Sequence, residues 1–256
     1  DRNSVIGFAL IAAIMIVWLQ FMKPQQKAEL EKAAARRELV SRPQGQEAPG
    51  TPSGSRADSL GAFATVSSGP EKLVTVDNDL FSAVLSTKGA TLKSLVLKKH
   101  LDGAHKPFDL VKAHEKGALS MLFLSNDGKR IDTRDLYFRS SVAEPTIKVT
   151  GDQKVTVSFV MDVDASRSMQ VTYTFSGNSY AIDYDLKLSG FQSTIAGNQY
   201  QLAWDGGMAY SEKNTMDEST NALSSAYLGG GIVKLDAKDD KQVYKEEESG
   251  KAQWVA

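Results

Sequence analysis

The chain has 256 residues, 30 Lys and Arg against 31 Asp and Glu, and 41% apolar side chains, which is enough for one sizeable core and at most two. A formal net charge of −1 supplies no global basic field for holding phosphate backbones, which argues against a general nucleic-acid binder and leaves only a local basic patch open. The absence of cysteine removes disulfides, thiolate nucleophiles, Cys-ligated zinc and iron–sulfur clusters together, and leaves the compartment open.

In chain order, the first element is an apolar run from Val5 to Met22, VIGFALIAAIMIVWLQFM, in which Gln20 is the only polar side chain. As a helix it would be ~27 Å long, close to the ~30 Å hydrocarbon thickness of a bilayer. The expected anchor residues are Val5, Ile6, Phe8, Leu10, Ile11, Ile14, Ile16, Val17, Trp18, Leu19, Phe21 and Met22. A cleaved signal peptide fits less well, because the n-region holds a single Arg and no small-x-small pair follows the run. A buried soluble helix would keep some polar face, and this one is apolar all round. Trp18 and Phe21 suit an interfacial aromatic belt. The flanks carry Arg2 on one side and Lys23, Lys27, Lys32, Arg36 and Arg37 on the other, a count that places the C-terminal flank in the cytoplasm.

Residues 25–40, QQKAELEKAAARRELV, are strong helix formers with opposite charges three and four apart, and predict a short polar helix. From Ser41 to Pro70 prolines (Pro43, Pro49, Pro52, Pro70) alternate with glycines among Ser, Thr and Gln, the composition of a tether. From Glu71 the apolar pattern changes to period two. Strands are predicted at Leu73–Val76, Leu80–Ser86, Thr91–Lys98 and Ser120–Leu124, then at Val155–Val163, Met169–Phe175 and Ile182–Leu188, the last three joined by short turns into an antiparallel meander. No strand–helix–strand alternation occurs, so the class is mainly β with sheets packed face to face. Beyond Trp204, Gly206-Gly207 and Gly229-Gly230-Gly231 predict loops around a helical Glu212–Tyr227. The organisation expected is an anchor at 1–23, a polar helix and linker at 24–70, and a β body at 71–256. The body carries 22 basic and 25 acidic residues spread over alternating strands, a solvated surface rather than a charged groove.

Candidate chemistry is sparse. His100, His105 and His114 lie near Asp102 and Asp109, but their spacing suits neither a helix face nor a strand face, and Gly103, Pro107 and Gly117 mark a loop; exposed loop histidines are the simpler reading. Asp162/Asp164 and Asp183/Asp185 could be carboxylate pairs for acid–base or sugar chemistry, yet their place on the polar side of half-buried strands accounts for them. Neither a phosphate-binding G-x-x-x-x-G-K-[ST] nor a G-x-S-x-G elbow occurs, and Asn126-Asp127-Gly128-Lys129 reads as a turn without the rest of a calcium loop. Tyr173, Phe175, Tyr184 and Trp204 sit in strand contexts where core packing is expected. No catalytic, metal or cofactor residue is assigned, and no enzymatic activity.

Several stretches together resemble one family. Asp1-Arg2-Asn3-Ser4 before the apolar run is similar to the start of bacterial YidC membrane-protein insertases without the initiator Met. Phe81-Ser82-Ala83-Val84-Leu85-Ser86-Thr87-Lys88-Gly89-Ala90 resembles the family's "F-S-T-K-G-G" strand and turn, followed by Leu95-Val96-Leu97-Lys98-Lys99. Tyr173-Thr174-Phe175 with Asn178-Ser179-Tyr180, and Gly250 to Ala256 as "G-x-x-x-W-V-A", continue the likeness. The resemblance implies an inner-membrane protein with a cytoplasmic N-terminus and a large periplasmic domain, an extended antiparallel β-sandwich of the mutarotase-like supersandwich type. That orientation opposes the flank count; a folded domain overrides flank charge. It further implies a membrane-protein insertase and chaperone whose partners are the lipid bilayer, nascent membrane-protein clients and the Sec translocon, with this segment as anchor and scaffold and the insertion groove elsewhere. The alternatives are a membrane-anchored carbohydrate-binding or mutarotase-like domain, suggested by the same fold, and a self-contained periplasmic adaptor.

Overall fold

The computed structural model describes residues 59–111, 116–220, 223–236 and 252–255. The expected span Val5–Met22, the polar helix at 25–40, most of the linker, and His114 lie outside the described residues. Among those described, no helix is long and apolar enough to cross a membrane.

The body begins earlier than the change of composition suggests. A 3-10 turn at Gly61–Val66, within the stretch read as linker, buries Phe63, and Leu60 is buried beside it. The Phe63 ring lies 5.4 Å from Phe123 and 6.1 Å from Phe191.

Strands β1 (Leu73–Asp77), β2 (Phe81–Ser86), β3 (Thr91–Leu101) and β4 (Pro107–Asp109) follow one another as antiparallel neighbours. Val74 lies opposite Leu85 and Val76 opposite Ala83, so the apolar set of each strand falls on one face and is buried. β3 runs past Lys98 to Leu101 and carries His100, which the sequence places in a loop; pairing of Leu101 with Pro107 extends the hairpin with exposed side chains that bury no core face. The sheet is completed by β8 (Thr146–Lys148), parallel to β1 with Thr75 opposite Thr146.

The meander forms as the period predicts, from β9 (Lys154–Asp162), β10 (Ser168–Ser176) and β11 (Ile182–Ser189), edged by β7 (Arg139–Ser140). Met169 opposite Met161, Val171 opposite Phe159 and Tyr173 opposite Val157 supply the core face. The outer face carries hydroxyl pairs, Ser158 with Thr172 at 3.1 Å and Thr156 with Thr174 at 3.2 Å. A third sheet has the order β12-β5-β6, from β5 (Leu119–Ser125), β6 (Arg130–Asp132) and β12 (Ile195–Trp204). Asn126 to Lys129 make the predicted turn between β5 and β6, with Gly128 at φ +77°.

Among the described residues of the stretch expected as a helix over Glu212–Tyr227, Thr215–Thr220, α1, is helical and Leu223 onward is not. From Leu223 the chain is β13 (Leu223–Leu228), paired with β14 (Gly231–Asp236) and β15 (Ala252–Val255). Gly229 and Gly230, at φ +57° and +92°, close a two-residue hairpin whose backbone requires the left-handed region at both positions, and that turn decides the strand.

One core cluster draws on the first three sheets and the 3-10 turn, giving the mainly β, antiparallel sandwich expected. Among the described residues its last member in sequence is Ile195. Two buried polar contacts tie sheets together. Tyr173 donates its hydroxyl hydrogen to the Ala90 carbonyl at 2.8 Å. The side chain of Asn78, in the β1–β2 turn, donates to the carbonyls of Ser176 and Ser179 and accepts from the N–H groups of Leu80 and Phe81.

Candidate interaction surface

The carboxylates singled out from the sequence do not converge. Asp162 pairs with Arg139 across β9 and β7. Asp164 closes the β9–β10 turn, accepting from the backbone N–H groups of Ser166 and Arg167 and from the Arg167 guanidinium, and this hydrogen bonding holds its carboxyl far below the usual range. Asp183 and Asp185 are exposed on β11, opposite Thr174 and Thr172. The first pair thus divides between an ion pair and a turn cap, and the second is solvated.

The histidines fare similarly. His100 is exposed at the outer end of β3, its ring 6.1 Å from that of Tyr180. His105 is exposed in the β3–β4 loop at φ +60°. Asp102 is occupied in the same loop, accepting from the N–H groups of Lys106 and Ala104, bonds that lower its pKa. Asp109 accepts from the Ser94 hydroxyl and the N–H groups of Leu95 and Val111. Among the described residues no three His, Asp or Glu side chains gather as metal ligands would.

Two polar groupings escaped the sequence reading. Arg134 follows β6 and lies between Asp132, 2.6 Å away, and Asp205 just after β12, so one guanidinium fixes the end of β12 to the neighbouring turn; its hydrogen bond to Asp132 raises its pKa. The only sequence signal was Asp132-Thr133-Arg134, a turn in which Asp132 accepts from the Arg134 N–H. Glu71 accepts from the Ser86 hydroxyl at 2.7 Å, a bond that lowers its pKa, and stands 3.5 Å from Lys93 at a shallow cleft of ≈ 420 Å³ lined by Glu71, Leu73 and Lys93. No nucleophile or second carboxylate lines that cleft.

What the surface does offer is apolar area. Tyr173 and Phe175 are buried as expected, and Tyr184 is half-buried, its phenol pushed up to about 12 chiefly by burial, with the nearby Tyr200 and Asp185 adding to the shift. Trp204 departs from expectation. It is 43% exposed, and Leu202 and Tyr200, two and four residues earlier on the same strand face, are 50% and 48% exposed. These three stand opposite Leu119, Met121 and Phe123 of β5, of which Met121 and Phe123 are buried. The strand context of Trp204 is as expected, but the β12 partners of the buried Met121 and Phe123 are themselves half exposed. The β13 sheet likewise exposes Ile232 and Trp254, each registered against Tyr227, with the Tyr227 and Trp254 rings 6.2 Å apart. Such a surface suits contact with another polypeptide rather than turnover of a small substrate.

Comparison with known proteins agrees. Residues 73–256 match the family model of the YidC periplasmic domain. The chain is 68% identical over 260 residues to the membrane protein insertase YidC of Chlorobaculum tepidum, 68% over 257 residues to that of Chlorobaculum parvum, and 54% over 256 residues to that of Chlorobium limicola. Each match covers 100% of this chain and 44% of the relative, so the chain spans less than half the length of the curated relatives it matches.

Proposed function

We propose, from the premise that the chain belongs to the YidC periplasmic-domain family, that it is the anchor and periplasmic module of a membrane-protein insertase. In this reading residues 1–23 anchor the protein in the inner membrane, 24–70 tether it, and the β body beyond works in the periplasm. The 3-10 turn at Gly61–Val66 belongs to that body. The whole protein inserts and chaperones inner-membrane proteins, alone or with the Sec translocon. This segment positions and contacts partners, and the insertion groove lies outside it. The observation that carries the reading is identity over the whole chain to insertases, joined to a body whose described carboxylate pairs, Asp162/Asp164 and Asp183/Asp185, serve an ion pair, a turn and solvent.

The test is complementation. In cells depleted of their own insertase, the full-length protein should restore insertion of a membrane-protein reporter. Its body should be digested by protease added to the periplasmic side of spheroplasts. Failure to restore insertion, or a body protected until the inner membrane is broken, overturns the reading. Titration with sugars, followed by Trp204 and Trp254 fluorescence, separates it from the carbohydrate-binding alternative: a flat response is expected, and saturable binding contradicts it.

A further inference from the structure

The end of the β3–β4 hairpin gathers cations that serve no role in the fold described so far. The last β2 partner of β3 is Phe81, opposite Leu97. On the β4 side Leu97 pairs with Phe108 and Leu101 with Pro107, which leaves Lys98, Lys99 and His100 facing no residue of β4. Such a bulge turns outward side chains that a regular ladder would hold in register. All three are exposed, as are Leu101, His105 and Lys106. Residues 98–107 hold three Lys, two His and one Asp. That carboxylate is turned into the loop, where Asp102 accepts from the N–H groups of Ala104 and Lys106. Lys98 pairs with Asp77 at 3.0 Å, whereas Lys99 and Lys106 form no ion pair among the described residues. The Lys213 side chain lies against Gly103 with Glu212 exposed beside it, so those two charges offset each other.

Apolar groups stand among these cations. Leu101 is 52% exposed, and Tyr180, whose ring lies 6.1 Å from that of His100, is 45% exposed. Tyrosine and leucine beside lysines with long apolar stems is the composition of a membrane interface. An acidic polypeptide would use the cations and leave Leu101 and Tyr180 in water. A headgroup layer takes both, its phosphates against the ammonium groups and its acyl boundary against the apolar pair. Each lysine near an anionic surface is worth about fivefold in partition, so Lys99 and Lys106 together supply about thirtyfold, too little to hold a free domain on a bilayer. For a chain already anchored in that bilayer the contact is intramolecular, and a factor of this size is sufficient.

We propose that the tip of the β3–β4 hairpin docks on the anionic phospholipid surface of the membrane in which the protein is anchored. The proposal rests on the anchor and periplasmic-body reading above and adds to it a second, reversible membrane contact.

The test uses the full-length protein in vesicles of phosphatidylcholine alone or with about 30% phosphatidylglycerol. A genetically encoded fluorescent amino acid replaces Ala104 in the hairpin loop or, as a control, Lys187 on the exposed face of β11, and lipids with a nitroxide headgroup serve as quencher. At low salt and in the anionic vesicles, quenching at 104 should exceed that at 187 by at least about threefold, and it should fall to the level at 187 in about 0.5 M salt. It should fall likewise when Lys99→Gln and Lys106→Gln are combined, with melting unchanged. In the unsubstituted protein, amide exchange over residues 98–107 should be slower in the anionic vesicles than in detergent micelles. Quenching at 104 no greater than at 187, or equal with and without phosphatidylglycerol, overturns the proposal. So do hairpin amides equally protected in detergent, which identify another segment of the chain as the cover, and amides protected by added polyglutamate but not by the anionic vesicles, which identify a protein partner. Protein that fails to float with the vesicles in about 0.5 M salt overturns the anchor reading and the proposal with it, whereas protein that floats without preferential quenching at 104 overturns the docking alone.

Discussion

Asn78 is the residue whose removal has the most calculable effect. Its side chain is 1% exposed and makes four hydrogen bonds, to the Phe81 N–H at 2.7 Å, the Leu80 N–H and the Ser176 carbonyl at 2.9 Å, and the Ser179 carbonyl at 3.1 Å. Asn78→Ala removes all four and joins the β1–β2 turn to the β10–β11 turn by one fewer bridge. The Phe81 N–H lies in a buried environment and forfeits close to its full desolvation cost, about 1–3 kcal/mol, while the three partly buried partners recover some hydration and lose about 0.5–1 kcal/mol each. The sum is about 2.5–6 kcal/mol. This is a large share of the roughly 5–15 kcal/mol that holds a domain together. At about 2–4 °C per kcal/mol, melting should fall by roughly 5–24 °C, read by circular dichroism and checked by urea unfolding. Asn78→Asp keeps the acceptor for Leu80 and Phe81 but points a carboxylate at two carbonyls, so it should also be destabilised at neutral pH and partly recover where the carboxyl is protonated. A loss below about 1 kcal/mol for Asn78→Ala would refute the reasoning, because the orphaned groups would then have found other partners.

Three further outcomes are expected. A Cβ at Gly177 would sit 2.2 Å from the Thr150 carbonyl carbon and 2.6 Å from backbone atoms of Gly151, so Gly177→Ala should cost more than about 2 kcal/mol in urea unfolding; a neutral result would mean that the β8–β9 turn yields freely. Tyr184 has a folded-state pKa raised to about 12 by burial, from an ordinary 10.0, so the stability it lends is complete below pH 10 and is lost as pH rises through 12. Tyr184→Phe should flatten the decline of stability over that interval, and an unchanged slope would exclude Tyr184 as its source. Arg134→Gln abolishes the charge shared by Asp132 and Asp205 and should lower stability by about 1–3 kcal/mol while speeding amide exchange at the Trp204 end of β12; exchange unaltered there would show that Arg134 does not hold that end.

The meander β9–β11 was legible because nine-residue alternation bounded by turn residues leaves one register that buries Val157, Phe159 and Met161 with their partners on β10. The two- and three-residue strands β4, β7 and β8 were not, since a period cannot be recognised in so few residues and their pairing is fixed by distant neighbours. Trp204 is expected in the core from its strand-like context and is instead 43% exposed, because a strand context does not report whether a layer lies above it. The helix expected to reach Tyr227 gives way to a strand from Leu223, where pairing across the Gly229-Gly230 turn outweighs local helix propensity. Asn78 and Arg134 carried almost no local signal; their importance comes from partners that meet them only in the folded body. As for the surface, the place of the apolar stripe carried no sequence signal, because exposure depends on what packs over a strand and not on the strand's own residues.

The contact of Phe63 with both Phe123 and Phe191 has a consequence for how this protein is made. Synthesis runs from the N-terminus, so the 3-10 turn and β1 emerge first and then wait for aromatic partners that arrive much later. Until Phe191 has been added, Phe63 lacks one of its two ring partners, so the packing around it depends on contacts between residues far apart in the chain, the kind that slows folding.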